Sequence, residues 1–373
     1  MILSSEFPPG PGGIGQHAYS MADSLAERDY DLKVLTVSDY SSASECMNFD
    51  SNIKHFGIIR FKRYRSLLNQ LFRFWVLIKK IHSFKPAITI HTGRFPLMVN
   101  ALLHWFLKIY KIKTIAVIHG SEINPKSKIQ KVLNQRGIKK ADFVVSVSDY
   151  TQSLIPGNLL KHGSYNIIGN GITKIMQKNW DNYLTLKEKP NNVLRLLTVG
   201  NVIPRKGQHN VINAIPTIKQ RYNNVIYDVV GMRRYPELVD KQLMQNNVAE
   251  NVVFHGRIQK HADLNAFYKE ANIFMLLSEN IDDGDVEGFG IAALEANYFG
   301  VPVIGSKNTG VEAAVKDGFS GILVDAQNPL EITMAIEKIM ENQEWFFENS
   351  KKWARSNHWD LLVEKYIEVI DNL

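Results

Sequence analysis

The strongest constraint on this chain is an alternation that runs through it twice. Short apolar segments of strand length are separated by amphipathic segments of helical length, first in one half and again in the other. A strand apolar on both faces must be covered on both faces. A helix between consecutive strands does this while carrying the chain back to start the next strand parallel to the last. The first-half strands are expected at 2–5, 32–37, 56–60, 87–91, 114–118 and 143–147. Those of the second half are expected at 194–199, 225–230, 252–255, 273–277, 302–304 and 322–324. Between the first two strands, Ile14, Ala18, Met21, Ala22 and Leu25 recur at helical spacing and mark one buried face. The polar stretch 174–192 reads as a linker, and beyond about residue 328 the pattern is helical to the end. An α/β chain of two Rossmann-like domains is therefore expected, with the strand C-terminal edges of two parallel sheets facing a central cleft.

A length of 373 residues accommodates two such domains. Cys46 is the single cysteine, which excludes an internal disulfide framework and fits a reducing compartment. The residues after Met1 carry no secretory signal. Arg73, Lys79, Lys80, Arg94 and Lys108 interrupt the longer apolar runs, so a cytoplasmic, non-spanning protein is expected. The net charge of +7 is unevenly placed. Residues 51–121 hold thirteen Lys and Arg and no Asp or Glu, leaving −6 for the rest. Leu67, Leu68, Leu71, Phe72, Trp75, Val76 and Ile78 lie there at helical spacing among Arg63, Arg65, Arg73, Lys79 and Lys80. A basic amphipathic helix of this kind fits a polyanionic partner, here an anionic membrane surface.

Three constellations carry chemistry. The loop from Glu6 to Gly15 holds three prolines and four glycines before the first helix, where backbone N–H groups can approach an anion. Gly10, Gly12 and Gly15 also satisfy the G-x-G-x-x-G spacing of a dinucleotide site, with Asp39 placed to hold a ribose. Glu6-Phe7-Pro8-Pro9 separates the strand from those glycines, which disfavours that tight turn. The second constellation is Gly200-Asn-Val-Ile-Pro-Arg205-Lys206-Gly207, where two cations meet a helix start as a diphosphate requires. In the third, Glu287 and Glu295 flank Gly288-Phe289-Gly290-Ile291. On one helix they would stand roughly 12 Å apart, too far to act on one atom. Asp282, Asp283 and Asp285 read as a solvated loop, and no metal site is expected.

Together Glu-x7-Glu with Gly-Phe-Gly inside it, Gly300-Val-Pro-Val303 and Arg205-Lys206-Gly207 resemble the retaining glycosyltransferases of family four, fold type GT-B. Phe7-Pro-Pro9, Gly12-Gly-Ile14, Pro204-Arg-Lys-Gly-Gln208 and Asp285-Val-Glu-Gly288 are similar to bacterial phosphatidylinositol mannosyltransferases. The resemblance runs over essentially the whole chain. It implies an acceptor domain over 1–180, a nucleotide-sugar domain over 181–350, and a helix in 351–373 packing back on the first. By the same resemblance, Gly12 and Gly13 would meet the donor diphosphate through backbone N–H groups, and Arg205 and Lys206 would neutralise it. Glu295 would hold the ribose hydroxyls and Glu287 would face the transferred sugar. The N–H groups of Phe289, Gly290 and Ile291 would meet the sugar or β-phosphate, and His119 would contact the sugar. Arg257 and Ile258 would lie at the base.

The implied activity moves a hexose from a GDP- or UDP-linked donor to a membrane-associated glycolipid or polysaccharide precursor. It would keep the anomeric configuration and use no cofactor and no metal. Its place would be peripheral, on the inner face of the membrane. A GT-B sugar-nucleotide epimerase would share fold and donor but need no acceptor. An NAD-dependent oxidoreductase would explain the first glycine loop alone, and a non-catalytic scaffold would keep the fold without the donor motifs. A nucleic-acid binder would explain the basic face, though no recognised module is present.

Overall fold

The computed structural model describes residues 1–38, 41–61, 67–177, 193–258, 261–281 and 284–373. They form two compact units, one of Met1–Lys174 with Trp359–Leu373 and one of Ile175–His358. Asp39, Arg63, Arg65, Asp282, Asp283 and most of the expected linker lie outside the described residues, as do the side chains of Leu67, Leu68, Leu71 and Phe72.

In the first unit the elements run β1 (Ile2–Ser4), α1 (Gly13–Ala26), β2 (Lys33–Val37), α2 (Ala43–Ser51), β3 (Gly57–Phe61), α3 (Leu67–Phe84), β4 (Ile88–Thr92), α4 (Arg94–Ile109), β5 (Lys113–Ile118), α5 (Lys128–Lys140), β6 (Phe143–Ser146), α6 (Asp149–Ser153) and β7 (Tyr165–Ile167). The helix α7 (Lys174–Gln177) follows. The seven strands lie in the order β3-β2-β1-β4-β5-β6-β7, and every pairing is parallel. Ile2 stands opposite Val34 on one side and Ile90 on the other.

From β1 the chain first steps outward through β2 to β3, then crosses back and proceeds from β4 to β7. Right-handed crossovers therefore place α1 and α2 on one sheet face and α3, α4 and α5 on the other. The second face is sealed by Leu3, Leu35, Leu77, Ile81, Val99 and Leu107, with a neighbouring cluster of Leu97, Ile118, Ile138 and Val144.

The second unit continues with β8 (Leu194–Val199), α8 (Gln208–Ile218), β9 (Val225–Val230), α9 (Pro236–Asn246), β10 (Val252–Gly256), α10 (His261–Glu270), β11 (Ile273–Leu276), α11 (Ile291–Tyr298), β12 (Val303–Ser306), β13 (Gly321–Val324), α12 (Pro329–Glu341) and α13 (Gln343–Ser356). Its six strands are also all parallel, in the order β10-β9-β8-β11-β12-β13. All twelve expected strands are present, with ends displaced by two residues at most. β7 is additional: this edge strand in Gly-Ser-Tyr-Asn-Ile is largely exposed and lacks the apolar run that marks the others.

The last helix, α14 (Trp359–Asp371), belongs to the first unit and packs along α1. Lys174 ties the two helices, pairing with Glu27 at 2.6 Å and Asp360 at 2.9 Å, while Arg28 pairs with Glu364 at 2.6 Å. Trp359 and Tyr366 are buried beneath. Emptying an aromatic site of this kind costs about 3–5 kcal/mol.

Candidate functional site

Each sheet has one place where the strand order reverses: β1 beside β4 in the first, β8 beside β11 in the second. At such a point the loops leaving the two strands diverge to opposite faces and open a crevice at their C-terminal ends. Most of the residues singled out in the sequence gather at these two places or one strand away; Arg257 and Ile258 do not.

In the second unit, the loop after β8 turns through a short 3-10 segment, Pro204–Lys206, into α8. Gly207 has φ of 67°, and a Cβ there would lie 1.6 Å from the Leu277 carbonyl oxygen, so only glycine lets this loop close against the end of β11. The closure holds Arg205 and Lys206 over the segment that follows β11, and Glu279 N–H donates to the Arg205 carbonyl at 3.0 Å. Lys206 Nζ lies 2.7 Å from Glu287 Oε2, and Arg205 donates to the same oxygen. Arg205 Nε faces Asp285 at 3.1 Å. Glu287 is buried. Burial opposes its charged form, but Lys206 and Arg205 outweigh that and hold its carboxyl below the usual range.

The structure departs from the sequence expectation at two of these acids. Asp285 is no solvated bystander, since it pairs with Arg205. The 12 Å spacing of Glu287 and Glu295 assumed one helix, yet α11 begins only at Ile291, after Gly290 at φ 95°; Glu287 sits in the preceding loop, where it can turn to the cations. Glu295, half-buried on α11, has the partner its apolar surroundings demand: Tyr268 Oη donates to it at 2.9 Å. Phe289 is buried, and Gly290 offers no side-chain cap to the first turn of α11, where the Ala293 N–H donates to the Gly290 carbonyl at 2.9 Å. Arg257 is exposed and Ile258 half-buried just past β10, two strands from the cations.

Sequence reasoning missed Glu279. It accepts from Asn210 at 2.8 Å and Gln327 at 3.0 Å and lies 3.3 Å from His209 Nε2. These contacts, the His209 bond foremost, bring its carboxyl down to about 2. An acid placed two residues beyond the last apolar position of a central strand was the available signal.

In the first unit, the loop between β1 and α1 is anchored from beneath. Phe7 is buried edge-on against Tyr19 and Phe49, and Arg60 donates to the Pro8 carbonyl while gripping Asp50 with two bonds of 2.8 Å. Arg60, one of the thirteen bases, is therefore occupied within the fold. Gly12 has φ of 138°, and a Cβ there would meet the Glu6 carboxylate at 2.0 Å. Gly12 and Gly13 are exposed where α1 begins, with no side-chain cap.

His119 follows β5, one strand beyond the reversal. Its Nε2 lies 2.8 Å from Thr92 Oγ1 at the end of β4, and its ring meets the edge of His17 at 4.9 Å. Removal from water pushes its pKa down to about 3, so the imidazole is neutral at ordinary pH. His17, fully buried, bonds Tyr366 at 3.0 Å through Nε2 and stacks edge-on with Trp359. Glu122, three residues on, is a second residue that sequence reasoning missed. It is wholly buried, accepts from the His119 backbone N–H at 3.2 Å, and has Oε1 without a partner. Burial raises its pKa to about 7.

Comparison with known proteins bears directly on these motifs. The family described as Glycosyl transferases group 1 matches residues 181–357, and Glycosyltransferase Family 4 matches residues 11–173. The two matches follow one another along almost the whole chain. The protein belongs to the family-four glycosyltransferases. An uncharacterized glycosyltransferase of Methanocaldococcus jannaschii is 26% identical, with 100% of this chain and 98% of that protein covered. The GDP-mannose-dependent α-(1-6)-phosphatidylinositol monomannoside mannosyltransferase of Mycolicibacterium smegmatis is 29% identical over 61% of each chain. Among solved structures, Anabaena HepE in complex with UDP and glucose superposes with a TM-score of 0.76 at 18% identity, covering 100% of this chain and 99% of that one. The fold is accordingly GT-B. Among the described residues no helix is long and apolar enough to cross a membrane.

Proposed function

We propose that this glycosyltransferase moves a hexose from a GDP- or UDP-linked donor to a lipid-linked glycan or polysaccharide precursor, with retention of configuration. The observation that carries the reading is the convergence of Arg205 and Lys206 on the buried Glu287 where the second sheet reverses its order. Two cations held over a helix start suit a diphosphate, and that diphosphate would replace Glu287 as their partner. Glu287 is then released toward the hydroxyls of the sugar. Glu295 holds the ribose, with Phe289, Gly290 and Ile291 offering N–H groups to the sugar or β-phosphate and Arg257 and Ile258 lying at the base.

In the first unit Gly12 and Gly13 offer backbone N–H groups, and neutral His119 contacts the sugar. The bond from the anomeric carbon to the diphosphate oxygen breaks as the acceptor oxygen bonds to the same face. The acceptor proton passes to the departing phosphate oxygen. The work of the side chains is electrostatic: Arg205 and Lys206 stabilise the charge that develops on the leaving group. On this reading no metal and no other cofactor takes part. The similarity to a mannosyltransferase acting on a phosphatidylinositol monomannoside supports the lipid-linked acceptor.

A thermal-shift series with GDP, UDP and ADP tests the donor. A nucleotide at 100 times its Kd adds about 2.7 kcal/mol of stability. Glu295→Gln should diminish that shift, whereas Glu287→Gln should preserve most of it and lower turnover. Stabilisation by none of the three nucleotides overturns the donor assignment, and equal loss of the shift in both variants overturns the division of roles.

A further inference from the structure

The helix α4 is apolar almost all round, with Arg94, Asn100, His104 and Lys108 as its only residues that are not. A helix of that composition is ordinarily enclosed on every side. Its inner face is enclosed: Leu97, Val99 and Leu107 pack on the sheet, and Asn100 bonds the Gly137 carbonyl of α5 at 2.8 Å. Its outer face is open. Leu102, Trp105 and Ile109, spaced to form one stripe, are 52%, 68% and 77% exposed.

The stripe continues onto both neighbours. On α3, Trp75 is exposed with Lys79 over its ring at 5.3 Å, and His82 lies 3.0 Å from Tyr110 at the end of α4. On α5, which approaches α4 so closely that a Cβ on Gly137 would lie 2.1 Å from the Leu97 carbonyl oxygen, Ile129 and Val132 are exposed.

The charge on this face is of one sign. Between Asp50 and Asp142 the chain holds nineteen Lys and Arg and a single acid, Glu122. The structure removes that acid from the surface, since Glu122 is 0% exposed beneath the His119 turn. Lys79, Lys80, Lys108, Lys131, Arg136 and Lys139 are all exposed. The helix α12 shows the usual contrast, its exposed Leu330 and Met334 standing with Glu331 and Glu341.

We propose that the outer face of α3, α4 and α5 docks on an anionic lipid surface, with Leu102, Trp105 and Ile109 entering the acyl boundary and the surrounding bases on headgroup phosphates. Bases alone would serve a nucleic acid equally well. Exposed leucine and isoleucine neither stack on bases nor pair with phosphates, whereas hydrocarbon accepts them. The proposal deepens the reading of a lipid-linked acceptor and is independent of the donor chemistry.

The test is co-sedimentation of the full chain with vesicles of phosphatidylcholine, with and without phosphatidylglycerol, at low and high salt. Binding is expected only to the anionic vesicles and should weaken as salt rises. A base near an anionic surface contributes about fivefold in partitioning, so Lys131→Ala with Arg136→Ala should lose about twenty-five-fold. Trp105→Glu with Ile109→Glu should lose at least about tenfold, because it deletes the insertion and places acids in the stripe. These positions are exposed, so both variants should melt as the parent does and keep its nucleotide-induced shift. Protein left in the supernatant with anionic vesicles at low salt overturns the proposal, as does parental binding by both variants. Capture by duplex DNA with no vesicle binding overturns it in favour of a nucleic acid. A dimer in solution that Trp105→Glu dissociates assigns the face to a second copy. A retained nucleotide shift in any of these cases leaves the glycosyltransferase reading standing and the surface claim refuted.

Discussion

The two reversal points treat buried ionisable groups in opposite ways. In the second unit, buried Glu287 faces two cations and Glu279 is ringed by donors, so both carboxyls are held in the charged form, Glu279 down to about 2. In the first, desolvation acts alone on His119 and outweighs the backbone N–H groups and the Arg94 charge that favour an ionised Glu122, so the neutral forms win. His119 falls to about 3 and Glu122 rises to about 7. Burial acts in both; whether the neighbouring charges and donors outweigh it decides the sign. A charged cluster whose cations can change partners suits the diphosphate end of a donor. A neutral imidazole backed by a second, buried imidazole suits uncharged hydroxyls.

The sharpest way to break this contrast is to remove the cations. Arg205→Ala with Lys206→Ala should lower turnover by about a hundredfold or more, since leaving-group stabilisation is lost. It should also leave Glu287 buried and alone, a situation that costs about 3–5 kcal/mol, and move its carboxyl above the usual range as in the first unit. Steady-state transfer kinetics and denaturant unfolding measure the two effects. Near-normal transfer would show that the cations do not meet the leaving group.

Glu122 probes the other side. Its native pKa of about 7 lies above the ordinary 4.5, so the folded state holds an extra proton between those values. Stability must therefore fall as pH rises through that window. Glu122→Gln removes the titration and should raise stability by about 2 kcal/mol at about pH 8, with little change at about pH 5. Parallel unfolding curves for parent and variant across that range would mean that Glu122 is charged throughout, and the contrast would fail.

The smallest effect is expected at Tyr366→Phe, which removes the bond to His17 and should cost about 1 kcal/mol of stability. Turnover should hardly change if α14 only packs beneath the site. A loss of turnover larger than the loss of stability would instead show that His17 sets the position of His119.

Both sheets were legible beforehand because strand and helix periods are local: residues two or three to four apart in sequence share a face in any fold. The glycine loop and the Arg205-Lys206 pair were visible for the same reason, being contiguous. The weak strand β7 was not, since an exposed edge lacks the apolar run that reveals a buried strand. Nor could spacing show that Glu287 leaves the helix to meet Arg205, 82 residues earlier in sequence. That meeting depends on β8 lying beside β11, and strand order is a property of the whole sheet.

The charge count of residues 51–121 is likewise plain from the sequence, whose helical spacing puts an apolar stripe on the segment that forms α3. Only the packed structure shows that α4 and α5 also carry exposed apolar residues, that Arg60 is consumed by Asp50, and that Glu122 is hidden. The sequence by itself determined two parallel α/β units and the chemistry of their loops, because these follow from neighbouring residues. Tertiary structure alone decided which charges are paired, which are withdrawn from water and which face remains open, because desolvation and pairing are set by groups brought together from distant parts of the chain.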